Sequence, residues 1–168
     1  DGLADNELGQ CMKAVPKEVA SFEELGSYQA KFTFPKCQPN PDHLFEPAAC
    51  KNNRKKASFS CTGSEFLTLA PIVHRYFTEV VAKRSAEYKN HALSIALCCM
   101  VVMMLQSQVL LEVSADELAN AISAHLALYL LVYGPEETRP KHHYVLHLLD
   151  MLRRFGFLFS TFVHERKH

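Results

Sequence analysis

The sequence predicts a mainly α-helical protein: a bundle of five or six helices forming a single domain over residues 1–168, with one short run near the C-terminus suited to a strand. Three observations predict it. Apolar residues recur at three- and four-residue spacings in several separate segments, the period of one helix face. Three Ser/Thr-x-x-Glu patterns, Ser21/Glu24, Thr62/Glu65 and Ser114/Glu117, stand just before such segments and read as capping boxes. Strand-type alternation is scarce, and no internal repeat is visible.

In chain order, residues 5–15 read as a helix with Leu8, Cys11, Met12 and Val15 on one side, broken at Pro16. Ser21 caps a second helix over residues 22–32. Residues 34–59 carry four prolines and a basic cluster and read as loop with at most short helical turns. Lys51, Arg54, Lys55 and Lys56 in that segment suit either phosphate contact, nuclear import or a solvated loop. Thr62 opens a helix through Leu67, Ile72, Val73, Tyr76, Phe77 and Val80, bent or entered near Pro71. Residues 83–90 form a polar break. Residues 91–113 follow as a buried helix. Their apolar run is interrupted by Ser94, Gln106, Ser107, Gln108 and Glu112, which leaves too short a stretch to span a bilayer comfortably. Ser114 caps the next helix, which runs to Tyr133 and stops at Gly134-Pro135, with Leu118, Ile122, His125, Leu126 and Tyr129 as its inward stripe. The last helix starts at Pro140, where a missing N–H is harmless. Val145, Leu148, Leu149 and Leu152 form its apolar face, Arg153 and Arg154 suit the negative end of its dipole, and Gly156 stops it. FGFLFSTFV then reads as a short buried strand, followed by Glu165 among His164, Arg166, Lys167 and His168.

Composition narrows the function classes. With 168 residues the chain can bury a substantial core, and 48% hydrophobic against 21% charged residues marks it as globular. Net charge is zero, so no whole-domain basic field exists and nucleic-acid contact would depend on local patches. The six cysteines contain no CxxC pair, and Cys98–Cys99 lie in an apolar run where thiols act as small hydrophobes. The acidic, polar start lacks a signal-peptide pattern, so a reduced intracellular compartment is expected. A start on Asp1 and an end at His168 suggest a piece of something longer.

The segment PKHHYVLHLLDMLRRFGFLFSTFVHERKH resembles one near the end of transposase-derived proteins of eukaryotic genomes, the CACTA (En/Spm-like) transposons and their protist relatives. There a KxHxxxHL helix and a Gly-Pro turn precede an aromatic stretch that ends in a Phe-Glu-Arg-type motif. Here Phe157 replaces the Pro. Asp1, Leu3, Leu8 and Gly9 resemble the DxLHxxxLG segment of the same proteins, with Ala4 in place of the His, and KASFSCTGSEFLTLAP is similar to a weaker stretch between them. The resemblance implies a DDE, RNase H-like site, with Asp1 as second and Glu165 as third catalytic and metal-binding carboxylate, holding Mg²⁺ or Mn²⁺. The residues between them would be a helical insertion. Arg153, Arg154, Arg166 and Lys167 would be the phosphate contacts to transposon-end DNA in the nucleus. Such a fragment, lacking the first acid, would be inactive alone. The alternative is a non-catalytic helical module, derived from a transposon, that binds partners or DNA.

Carboxylates suit this chemistry because two divalent ions must activate the attacking oxygen and stabilise the leaving one. Asp150 is a further acid, with nothing in its surroundings to prefer it. His143 and His147, four apart on one helix face, offer a zinc alternative, with His142 and His164 as additional ligands, against a structural role at the helix end. His125 on an apolar stripe reads as a satisfied core residue. GxSxG, P-loop and dinucleotide fingerprints are absent.

Overall fold

The computed structural model describes residues 2–34, 41–108 and 113–155. Those residues form a mainly α bundle of seven helices, and among them there is no strand. The helices are α1 (Leu3–Ala14), α2 (Phe22–Gln29), α3 (Pro47–Lys56), α4 (Gly63–Tyr76), α5 (Lys89–Gln108), α6 (Ala115–Tyr133) and α7 (Pro140–Phe155). The aromatic run suited to a strand lies outside the described residues.

The capping boxes work as local start signals. Thr62 Oγ1 accepts from Glu65 N–H while Glu65 accepts from Thr62 N–H, and Ser114 and Glu117 repeat the arrangement. At α2 only half of the box forms. Ser21 caps Glu24 N–H, but the Glu24 carboxylate turns outward to Arg84 at 2.7 Å and to the Tyr76 hydroxyl at 2.8 Å. The Arg84 guanidinium holds the Glu24 carboxyl below its ordinary range. α4 carries Pro71 in its interior, and the helical path beyond it widens into a π-helical turn over Phe77–Val81 and ends at Arg84.

The proline-rich segment departs from expectation. Residues 47–56 are a ten-residue helix, not a loop. Pro47 occupies its first turn, where proline is favoured, and the last turn carries Arg54, Lys55 and Lys56 against the helix dipole. Arg54 is not available to phosphate. Its Nη2 donates to the carbonyls of Met12 at 2.6 Å, Val15 at 3.3 Å and Ala20 at 3.4 Å, closing the C-terminus of α1. Ala57 ends α3 in the left-handed region, at φ 50°. The chain then crosses α1 so closely that Gly9 is obligatory: a Cβ there would stand 2.2 Å from Ser58 N. Phe59 N–H donates to Asp5 carbonyl at 2.9 Å in the same crossing.

α5 is the central element, packed on α1, α4 and α6. By length and composition it could cross a membrane, yet here it is the axis the bundle forms around. Its N-terminal half, through Ala92, Ile95, Ala96 and Cys99, joins a core with α1, α2 and α4. Its C-terminal half, through Val101, joins a second core with Leu118 and Ile122 of α6 and Leu149 and Leu152 of α7. The inward stripes expected for α1, α6 and α7 face these cores. Leu126, Val145 and Leu148 are only partly covered.

His91 opens α5 with its ring against Tyr133, centroids 5.3 Å apart, and desolvation holds it below its ordinary value of 6.5. The folded state therefore keeps it neutral where the unfolded chain takes up a proton. Its contribution to stability is present above pH 6.5 and is lost as the pH falls below that value. Urea denaturation midpoints should drop on acidification from pH 7, and His91→Phe should flatten that drop.

Candidate functional site

α1 is buried on nearly every side, and residues 4–9 are all covered. Glu7 therefore brings a carboxylate into the core at 1% exposure, which is costly unless it is paired and hydrogen-bonded. Both oxygens are satisfied. Ser94 Oγ of α5 donates to Oε1 at 2.6 Å, and His125 Nε2 of α6 lies 2.7 Å from Oε2, with His125 also 1% exposed. Cys98 sits one turn beyond Ser94 on α5. Its donor atom and those of Glu7 and His125 all lie within 4.8 Å of one another. Burial, with Glu7 beside it, pushes the Cys98 thiol well above its ordinary range.

The polar patch extends along the α1–α6 contact. Tyr129 hydroxyl lies 2.8 Å from Gln10 Oε1 and 2.9 Å from the Glu137 carbonyl, and Gln10 Nε2 donates to the Glu137 carboxylate at 2.9 Å. Asn6, with its amide oxygen turned to Arg139, accepts from that guanidinium at 2.8 and 3.2 Å. His142 rests on Tyr129, ring centroids 4.2 Å apart, and accepts from Arg139 N–H through Nδ1. Desolvation holds His142 below its ordinary value, and its Nε2 is buried without a partner among the described residues.

Beside this patch lies a cavity of about 410 Å³ that opens to solvent. Its wall includes apolar Leu3, Phe66, Val101 and Leu105, polar Asp5, Thr62, Cys98 and His125, and Ala4 and Val145, which bring α1 and α7 to the same space. The arrangement can hold a small ligand or an ion: a largely apolar chamber whose wall includes the Cys98 thiol and the His125 imidazole, with the Glu7 carboxylate bonded to His125 behind that wall.

The residues expected from sequence fall in several places. Asp1, Glu165, Arg166, Lys167 and His164 lie outside the described residues. Arg153 and Arg154 occupy the last turn of α7 at the surface. Arg153 stands 3.6 Å from the exposed carboxylate of Asp116, and Arg154 lies over the Phe155 ring. His143 and His147 do face each other, Nε2 to Nε2 at 3.2 Å, on the exposed side of α7, while His142 points into the bundle and cannot join them. Asp150 is exposed. His125 is a core histidine with a satisfied partner, as its apolar stripe implied, but that partner is an acid 118 residues away. Glu7, Ser94 and Cys98 were missed. The only local signal was Glu7 itself, one turn before Cys11 on a face that is otherwise apolar.

No known protein family, curated protein or solved structure matches the chain.

Proposed function

We propose that the chain is the helical insertion of a DDE-type, RNase H-like transposase-derived protein, acting on DNA with two divalent metal ions when joined to the rest of its catalytic core. The observation that supports this reading beyond the resemblance is the closure of the bundle on itself. An insertion between two catalytic acids must return the chain to where it left. Here Gly2 of the first segment and Val145 of the last helix line one cavity, and Gln10 and Asn6 of α1 bond to Glu137 and Arg139 just before α7. Asp1 immediately precedes Gly2, and Glu165 follows α7 by ten residues. Hard carboxylate ligands suit Mg²⁺ or Mn²⁺. Arg153, held among the described residues by a surface ion pair of the kind worth little, is open to a phosphate, and Arg154, Arg166 and Lys167 are the other contacts the resemblance implies. A nuclear location follows from the same reading.

A second reading, a non-catalytic helical module, is favoured by one position. The resemblance calls for histidine where Ala4 stands, and Ala4 lines the cavity.

The test is Mn²⁺-dependent nicking of a DNA duplex by the parent protein, wild type against Glu165→Gln and Asp1→Asn. Loss of cleavage in folded variants is expected under the first reading. Cleavage unchanged in both would remove these acids from the chemistry, and no cleavage by any form would leave the helical module.

A further inference from the structure

We propose that Glu7, Cys98 and His125 form a zinc-binding site inside the bundle, with the fourth coordination position open to the adjoining cavity.

The donor set carries the argument. One imidazole, one carboxylate and one thiol are the ligand types that zinc takes in sites with three protein ligands and one open position. A thiol disfavours Mg²⁺ and Ca²⁺, which require oxygen. This site is therefore distinct in kind from a carboxylate pair for Mg²⁺ or Mn²⁺, and it stands whether or not the transposase reading does.

Geometry and charge agree with the donor set. The three donor atoms lie within 4.8 Å of one another. A tetrahedral zinc with bonds of about 2.0–2.3 Å separates its ligand atoms by roughly 3.3–3.7 Å. Glu7 and His125, now hydrogen-bonded at 2.7 Å, would open by about 0.6 Å, and Cys98 would close by at most about 1 Å. Side-chain torsions of residues on three helices can supply such shifts. Zinc with one carboxylate and one thiolate is neutral overall, a form the apolar surroundings accept more readily than a lone charge. Ser94 already holds the second oxygen of Glu7, the kind of outer hydrogen bond that orients metal ligands.

Access and an open position come from the cavity, whose wall includes both Cys98 and His125. A water or a small anionic or carbonyl ligand can reach the metal from there. On binding, zinc takes the place of the Glu7–His125 hydrogen bond, with His125 neutral and Glu7 ionised as ligands, and displaces the thiol proton of Cys98 to solvent; no electron is transferred.

Cobalt(II) is the probe. The 168-residue chain, stripped with chelator and loaded with Co²⁺, should bind one equivalent and show a thiolate-to-cobalt charge-transfer band, which zinc then abolishes by displacement. Cys98→Ala leaves the Glu7–Ser94–His125 bonds in place. It should eliminate the band and weaken zinc binding more than about 100-fold, whereas the His143→Gln/His147→Gln double variant should keep both. No band in the wild type, a band that survives Cys98→Ala, or a band lost with His143 and His147 would each overturn the proposal. Should Cys98→Ala fail to fold, X-ray absorption on the wild-type zinc protein decides. One sulfur at about 2.3 Å with nitrogen and oxygen at about 2.0–2.2 Å is expected, and a shell with no sulfur, or with several, overturns the site.

Discussion

Glu7→Ala is expected to lower the free energy of unfolding by about 3–5 kcal/mol, the range found when one partner of a buried ion pair is removed. The carboxylate holds two groups from two other helices, Ser94 and His125, both buried. Truncation leaves their polar atoms without partners in the core and opens a void where the side chain stood. For a domain whose total stability is of the order of 5–15 kcal/mol, that loss is a large fraction. Glu7→Gln keeps the shape and one or two hydrogen bonds and should cost less. Converting the trio to apolar residues together should cost less than Glu7→Ala, because no group is then stranded. Urea denaturation with a constant slope measures all three. A loss under about 1 kcal/mol for Glu7→Ala, below what stranding such buried groups costs, would mean that the trio does not assemble in solution.

Gly9→Ala should destabilise by about 3 kcal/mol or more, against the sign that helix propensity assigns. In an exposed helix interior the change to alanine gains up to about 1 kcal/mol. At this site the added Cβ would lie 2.2 Å from Ser58 N, 2.3 Å from Ser58 Cα and 2.4 Å from Ala57 carbonyl carbon. These are backbone atoms and cannot swing aside as a side-chain tip can. Relief requires the strand of chain after α3 to lift off α1, which breaks the bond from Phe59 N–H to Asp5 and loosens Phe59, itself fully buried. Overpacking of this severity sits at the upper end of its usual cost. A stabilised or neutral Gly9→Ala protein, read from its thermal midpoint, would show that the crossing is looser than described.

What was legible in the sequence is what is written locally. A capping box needs residues three apart, and Thr62/Glu65 and Ser114/Glu117 both close as expected. The apolar faces of α1, α6 and α7 follow from spacing within single helices. α3 was hidden because four prolines outweighed a ten-residue pattern of modest amphipathicity, although Pro47 sits at the one helical place that tolerates proline. Arg54 read as part of a basic cluster suited to a solvated loop, phosphate contact or nuclear import, because such a cluster is read by charge. Its role depends on three carbonyls at least 34 residues away. The Glu7 cluster was illegible for the same reason: the carboxylate lies 87 residues from Ser94 and 118 from His125, and no short window contains Glu7 together with either partner. The acids Asp1 and Glu165 were reached by resemblance alone, and the described residues stop short of both.

The pairing of Glu7 also sets an order of events for the growing chain. α1 is synthesised first, and its buried carboxylate has no acceptable environment until α5 supplies Ser94 and α6 supplies His125. Contacts of such sequence separation are slow to form, because a long loop must close before they return any free energy. α2, α3 and α4 can gather around short-range contacts while the ribosome is still working. α1 gains its full set of partners only once His125 has emerged, long after its own residues.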